Sequence, residues 1–552
     1  MRIRTAFFLS TVALLLSGCG GGSSGGGNHN PPPATPTVTA TAPSNGATGV
    51  SASSPGITAT FSEAMTASTI TSATFTLSSG GSSVTGAVSY SSSNNQAAFT
   101  PAAALALNTS YTATITTGAE SSAGVALAAN YTWTFTTAAP PTPVTVDFST
   151  VSQTIRGFGG ATAWLGQLTT QQAAALFSPT SGLGLSILRV RIDPTGEAAN
   201  NWVPANGAWG TELANATEAV AANPNAIVFA SPWTPPVSMK NSSASQPYYS
   251  PACSPQQLCG GLLDPSNYAA YAAYLEDFVS YFQTNGVNLY GISMQNEPDY
   301  ANVDYESCNW TPQQMDSWIA GNASALTTKL IMPESFDFNP AQAATALSDP
   351  NAENLVSIVA GHLYGTSPAY QTQAEGLGKD VWMTEHYVQP AGAQPAIGDA
   401  ISMAEEIHNS LVTGQFNAYV WWWIWDNPGL SINIGLIDEN TSAPSPTYYG
   451  YAIEQFSRFV QPGWVRVSAT ANPETGIDVS AYSGGGHVAI VVINASAGSV
   501  NQPFTLQNTT VTSLTPYQTT ANGGFQQQTA VSVSGGQFSY TLPAQSITTF
   551  YQ

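Results

Sequence analysis

Asn288-Leu289-Tyr290-Gly291-Ile292-Ser293-Met294-Gln295-Asn296-Glu297-Pro298 is an apolar run that ends abruptly in two amides, an acid and a proline. Its apolar residues are nearly continuous instead of alternating with polar ones. That is the pattern of a strand covered on both faces in a parallel sheet. Seven further runs of this kind lie near 154–161, 185–193, 226–232, 329–335, 358–365, 380–387 and 417–425. Helix-like stretches separate them, among them 266–283, 312–320, 399–412 and 448–459. Eight buried strands alternating with helices predict a (β/α)8 TIM barrel over 154–459. In that fold the chemistry sits at the C-terminal ends of the strands, so the polar residues closing each run are the candidates.

Outside the barrel the period changes to two. Residues 38–138 carry short alternating runs such as Ile57-Thr58-Ala59-Thr60-Phe61 and Tyr131-Thr132-Trp133-Thr134-Phe135, and predict a small β-sandwich. Together with Phe61-Ser62-Glu63-Ala64-Met65, these runs resemble the bacterial Ig-like domains found as spacers in surface proteins. A Pro-rich linker, 139–144, follows. After Val460 alternation returns, as in His487-Val488-Ala489-Ile490-Val491. Residues 460–552, joined by 145–153, predict a side β-sandwich.

The first 19 residues read as a bacterial export signal. Arg2 and Arg4 precede an apolar run, Phe7 to Leu16, too short to span a bilayer. Leu16-Ser17-Gly18-Cys19 resembles the lipobox of lipoproteins, which implies cleavage before Cys19 and lipidation of its thiol. Residues 20–37 are Gly/Ser-rich and then Pro-rich, a tether that cannot pack a core. The expected location is the cell envelope, at the outer membrane through a lipid on Cys19, or the extracellular space.

Composition narrows the function. Of 552 residues 43% are hydrophobic, enough to bury sizeable cores, while only 7% are charged. Ten Lys and Arg stand against 31 Asp and Glu, a net charge of −21. Nucleic-acid binding needs basic patches, which this chain can barely build. Beyond Cys19 the cysteines are Cys253, Cys259 and Cys308. One pair can be bridged: Cys253 with Cys259 is the local choice, although either can reach Cys308. The spacing matches no zinc site, and no metal is expected.

Two runs end in carboxylates. The fourth ends Gln295-Asn296-Glu297-Pro298 and the seventh Trp382-Met383-Thr384-Glu385-His386-Tyr387. Strands three apart in a closed barrel place their ends across its mouth. Glycoside hydrolysis needs such a pair: one carboxylic acid to protonate the leaving oxygen, and one carboxylate to attack or to activate water.

These residues resemble the acid/base and nucleophile of the retaining clan A glycoside hydrolases. The chain is closest to family 30 and, within it, to the bacterial glucuronoxylan endo-xylanases. The resemblance runs in order over about 145–552, through Ile155-Arg156-Gly157-Phe158-Gly159-Gly160, Ser186-Ile187-Leu188-Arg189, Phe229-Ala230-Ser231-Pro232-Trp233, His362-Leu363-Tyr364-Gly365, Trp382-Met383-Thr384-Glu385 and Leu542-Pro543-Ala544-Gln545-Ser546. It implies double displacement without a cofactor, with Glu297 as acid/base and Glu385 as nucleophile. It also implies that Asn296 contacts the sugar 2-hydroxyl and that Arg189 hydrogen-bonds the nucleophile. Trp233, Tyr364, Tyr387 and Trp422, at or near strand ends, are candidates for stacking on sugar rings. His362 is a candidate contact of the nucleophile region, and Glu334 a supporting acid.

One stretch departs from the glucuronoxylan-specific pattern. Those enzymes hold the glucuronate carboxylate with an Arg just after strand eight. Here Trp421-Trp422-Trp423-Ile424-Trp425-Asp426-Asn427-Pro428-Gly429 has none, and Asp426 stands where the cation is expected. The expectation is an endo-β-1,4-xylanase with relaxed or altered branch recognition, acting on xylan as a monomer. Alternatives left open are another family 30 activity (exo-acting xylobiohydrolase, β-xylosidase, β-glucosidase or β-1,6-glucanase) or a non-catalytic polysaccharide-binding lipoprotein.

Overall fold

A computed structural model describes residues 33–249, 253–300, 304–426 and 432–552. Cys19 and Asn427 to Gly429 lie outside the described residues. The chain splits into two compact units, one ending at Pro140 and the other Pro141–Gln552.

In the first unit a four-stranded and a five-stranded antiparallel-rich sheet face each other. Alternation in Ile57–Phe61 and Tyr131–Thr137 sends Ile57, Ala59, Phe61, Trp133 and Phe135 inward. Phe75 packs between Phe99 and Trp133, with ring centroids 5.7 and 5.8 Å away.

The second unit is built on a closed barrel of eight parallel strands: β1 (Gly157–Ala161), β2 (Ile187–Ile192), β3 (Ile227–Pro232), β4 (Leu289–Ser293), β5 (Lys329–Ser335), β6 (Val356–His362), β7 (Asp380–Glu385) and β8 (Ala418–Trp423). They pair in chain order, and β8 closes on β1. Gly159 makes one seam possible: a Cβ there would lie 2.0 Å from the Ile187 carbonyl oxygen. Helices such as Ala208–Ala222, Tyr268–Thr284 and Ile397–Val412 cover the outside with their buried stripes.

The barrel interior is layered. Ile187, Phe229, Ile331, Ile358, Ala360, Trp382, Ala418 and Val420 form an apolar floor. Trp382 stacks on Tyr290 at 5.6 Å and meets Phe229 edge-on at 5.7 Å. Arg156, just before β1, pairs with Asp380 at the start of β7 (2.7 Å), and the Lys329 ammonium sits over Tyr290. This end is sealed, which leaves the opposite mouth for a ligand.

At the barrel's side the strands form one continuous ten-stranded sheet instead of two separate ones. Strand Val144–Thr154 joins its wings, pairing antiparallel with Val465–Ala469 and parallel with Val500–Gln507. The wings fold onto one core, where Phe504, Phe538 and Phe550 meet at 4.5–5.5 Å. Helix Tyr448–Ser457 ties this sheet to the barrel: the Thr549 hydroxyl donates to the Gln455 carbonyl (2.7 Å). Among the described residues no helix is long and apolar enough to cross a membrane.

Candidate active site

Strand alternation builds the site. In β2, Ile187 belongs to the apolar floor and Arg189, two residues on, enters the layer above it. β3 repeats the step with Phe229 and Ser231, and β6 with Ala360 and His362. β5 and β7 break the alternation. Their floor residues are Ile331 and Trp382, yet Glu334 and Glu385, three positions on, enter the polar layer. Both strands slip in register there: β5 between Pro333 and Ser335, β7 where Gly361↔Met383 gives way to His362↔Glu385. One extra residue re-aims the side chain that follows it. Glu334 and Glu297 also hold left-handed backbone, at φ 53° and 47°. Such angles are uncommon without glycine, and surrounding contacts must fix them. Here Glu297 N–H donates to the Glu334 carbonyl (3.0 Å), and Asn296 N–H to the Pro232 carbonyl (2.8 Å).

The side chains form one network. Arg189, with no exposed surface, donates through Nη1 to Glu385 and through Nη2 to Asn296 Oδ1 (2.6 Å), with Glu334 Oε1 3.1 Å from Nη2. Its Nε donates to Ser231, whose hydroxyl donates on to Glu334 (2.7 Å). The Tyr364 hydroxyl donates to Glu385 Oε1 (2.9 Å) and the Tyr305 hydroxyl to Glu297 Oε2 (2.8 Å). His362 Nδ1 lies 2.9 Å from Glu297 Oε1, and its Nε2 3.8 Å from Glu334. One oxygen of Glu297, one of Glu385 and a ring nitrogen of His362 all lie within 4.8 Å of one another.

Burial and charge set the protonation states. Burial would push His362 down, but Glu385, the hydrogen bond to Glu297 and the nearby Glu334 raise it to about 9. It is therefore an imidazolium: Nδ1 donates to Glu297, while Nε2 faces Glu334 across 3.8 Å as a charge and not as a hydrogen bond. Burial likewise works against an ionised Glu334, yet Arg189 and then His362 hold it at about 2. Glu297 is raised, first by burial and then by the facing Glu385, against the pull of His362 and Tyr305. Two cations thus share a site with three carboxyl groups. With Glu297 protonated, the cluster is neutral.

Above this layer opens a cleft of about 430 Å³. Trp233, Tyr364, Tyr387 and Trp422 line it as expected, beside Glu297 and Glu385. On one side Trp164, Trp233 and Trp422 contact each other edge-on or tilted at 5.0–6.1 Å. On the other, Tyr300, Phe336 and Tyr364 stack at 4.0 and 5.1 Å. Arg189 and His362 do not reach the cleft wall. Both are fully enclosed, and they hold carboxylates instead of facing a ligand. His362 lies in the nucleophile region, with a ring nitrogen within 4.8 Å of a Glu385 oxygen, but its hydrogen bond goes to Glu297. Asn296 lies against Arg189, 2% exposed.

Trp164, Tyr300, Tyr305, Phe336 and Trp423 also line the cleft and were not among the expected residues. Trp164 follows β1 by three positions and Phe336 directly follows β5, so the strand-end rule reaches both. Tyr305 sits deep in a loop, and no strand end points to it. Cys253 and Cys259 are bridged; Cys308 is buried and free.

The comparisons agree with this geometry. Residues 210–380 match the glycosyl hydrolase family 30 TIM-barrel domain and residues 33–137 the bacterial Ig-like domain Big_5. Glucuronoxylanase XynC of Bacillus subtilis (strain 168) is 40% identical over 421 residues, which are 74% of this chain and 91% of the relative. The structure of the glycoside hydrolase family 30 subfamily 8 xylanase Xyn30A from Clostridium acetobutylicum is also 40% identical. It superposes with a TM-score of 0.66 over 74% of this chain and 99% of that one. The endoxylanase structure from Clostridium papyrosolvens C71 gives 38% and 0.65 over the same shares. Identity at that level across nine-tenths of a relative, on a barrel with facing glutamates at its mouth, makes this chain a member of glycoside hydrolase family 30.

Proposed function

We propose that this protein is a retaining endo-β-1,4-xylanase that does not depend on glucuronate branches. The observation that carries the reading is the close approach of Glu297 and Glu385, with oxygens within 4.8 Å. Inverting enzymes hold their carboxyl groups about 6.5–9.5 Å apart to seat a water between them, retaining ones about 5–5.5 Å. In the first step Glu385 attacks the anomeric carbon while Glu297 gives its proton to the departing glycosidic oxygen. In the second, Glu297 takes a proton from water, the hydroxide so formed attacks the same carbon, and Glu385 leaves. The charge arithmetic favours this order. As Glu385 becomes an ester its negative charge disappears and one appears on Glu297, against the His362 imidazolium. The cluster stays neutral throughout, so little reorganisation opposes the reaction. The named relatives act on xylan, and the aromatic walls suit a run of sugar rings.

Branch independence rests on a side hollow behind Trp164. Its lining includes Gln167, Gln172, Trp425, Asp426 and Glu439, two acids with no Lys or Arg. The sequence places none at 427–431 either. Asp426 accepts the Gly435 N–H (2.6 Å). Arg191 lies 5.0 Å from the Trp164 ring centroid but is already paired with Asp193 and Glu306. A glucuronate carboxylate would meet carboxylates there instead of a guanidinium clamp. Digesting glucuronoxylan, arabinoxylan and unbranched xylo-oligosaccharides in parallel tests this. Comparable cleavage of all three is expected. Products from glucuronoxylan alone, each with one branch at a fixed place, would overturn it.

The same proposal tethers the enzyme to the cell envelope through Cys19, supported by the lipobox-like Leu16-Ser17-Gly18-Cys19 and the tether after it. Cys19→Ser should move the protein from the membrane fraction to the soluble one. An unchanged distribution would refute the anchor.

A further inference from the structure

Both oxygens of Glu297 already carry a hydrogen bond. His362 takes Oε1 from within the barrel, and Tyr305 takes Oε2 from a loop beyond β4. Something other than strand geometry must hold Tyr305. On one side the adjacent Glu306 is clamped by Arg191 of β2, at 3.1 Å through Nε and 2.5 Å through Nη2. On the other side lies the loop 253–259, closed by the Cys253–Cys259 disulfide. The Cys259 sulfur touches the Tyr305 carbonyl oxygen at 3.0 Å. Ser307 N–H donates to the Leu258 carbonyl (2.9 Å), Gly260 N–H to the Ser307 hydroxyl (3.0 Å) and Asn309 N–H to the Gly261 carbonyl (2.9 Å). The Lys240 ammonium donates to the Ser307 carbonyl as well (2.9 Å). The closed ring thus meets the backbone at 305 and 307, Gly260 and Gly261 just after it meet 307 and 309, and the phenol of Tyr305 reaches the carboxyl.

We propose that Tyr305 is a positioning residue for the Glu297 carboxyl, and that the Cys253–Cys259 loop keeps it in place. The proposal rests on Glu297 being the acid/base. Tyr305 does not exchange a proton with the substrate. It fixes the rotation of the carboxyl, so that the acidic proton aims at the glycosidic oxygen. Its O–H also stabilises the ionised form, which the second step uses as a base. The disulfide acts at one remove: it shortens the set of conformations open to 253–259, and through them those of Tyr305.

The test is the Tyr305→Phe variant with two substrates, xylan and a dinitrophenyl β-xylobioside. The dinitrophenolate departs without a proton, so the second substrate does not use the acid in the step that kcat/KM reports. Tyr305→Phe should lower kcat/KM on xylan by about tenfold, mainly through kcat, and leave the aryl substrate within about twofold. Losing a donor to the carboxylate raises the Glu297 pKa, so the alkaline limb of kcat/KM on xylan should move to higher pH. Cys253→Ser/Cys259→Ser should give the same changes, and adding Tyr305→Phe to it should bring little more, because the two act along one path. An unmoved alkaline limb in Tyr305→Phe, or an equal fall on both substrates, would overturn the positioning role. A wild-type profile in the folded double-serine variant would overturn the role of the loop. Glu297→Gln separates this from the underlying reading. Its kcat/KM on xylan should fall far more than that of Tyr305→Phe, while on the aryl substrate kcat/KM holds and kcat falls as deglycosylation loses its base; if not, the acid/base assignment fails first.

Discussion

Glu385→Gln should lower xylan hydrolysis by about 10⁴-fold or more while leaving xylan binding and the melting temperature close to those of the unchanged protein. The amide keeps the shape of the side chain: its oxygen can accept from Arg189 in the place of Oε2, and its NH2, in the place of Oε1, can donate to the Tyr364 hydroxyl oxygen. It cannot form the ester, so the first displacement has no nucleophile. Packing also changes little, because the side chain borders an open cleft. A second variant fixes the role more tightly. Glu385→Ala vacates that space, and added azide should attack a dinitrophenyl β-xylobioside there, giving the α-glycosyl azide by a single inversion. A Glu385→Gln protein that still degrades xylan at more than a few per cent of the original rate would sink the assignment. So would a β-azide from Glu385→Ala.

The second large effect is expected at Arg189. The side chain is fully buried and its guanidinium reaches Glu385, Asn296, Glu334 and Ser231, with one face 4.6 Å from the Trp233 ring centre. Arg189→Ala would leave Glu334 and Glu385 without their shared cation, a loss of about 3–5 kcal/mol for a buried pair deprived of one partner. Thermal unfolding of the catalytic unit should fall by at least about 5 °C. Arg189→Lys keeps the charge but not the planar fork, and one ammonium cannot serve four acceptors at these angles. It should melt nearer the unchanged protein yet lose about 10²-fold in kcat/KM, the scale of loss for a misplaced reacting group. An Arg189→Ala variant with unaltered melting would show that the network does not need its cation.

Much of this site is legible along the chain because the barrel makes it so. Continuous apolar runs mark strands buried on both faces, and strand ends mark the mouth, so Glu297 and Glu385 stand out. Arg189 stands out for a different reason: a cation inside an apolar strand needs an acid. What the chain does not show is anything that depends on pairing. The slips that aim Glu334 and Glu385 inward exist only between neighbouring strands, and a strict period of two would have turned both away. That His362 lies near the nucleophile is legible, but that its hydrogen bond goes to Glu297 is not, because which carboxyl it meets depends on the backbone turn at Glu297. Tyr305 was invisible because its position is set by a loop about 50 residues earlier, and three cysteines leave the choice of bridge open. The side sheet reads as strands, but that one strand joins both wings is a fact of hydrogen bonding.

That joining strand has a consequence in time. Val144–Thr154 leaves the ribosome long before its partners, for Thr145 meets Thr470 across 325 residues and Thr142 meets Gln502 across 360. The Ig-like unit closes on contacts made within its own stretch of chain. The catalytic unit cannot close until its last strand, Ser546–Tyr551, has taken its place between His487–Asn494 and Ser513–Thr520. Distant pairings of that kind delay folding, since the intervening chain must be ordered before they form. The first unit needs only its own stretch of chain; the second keeps an edge open until residues 546–551 are in place.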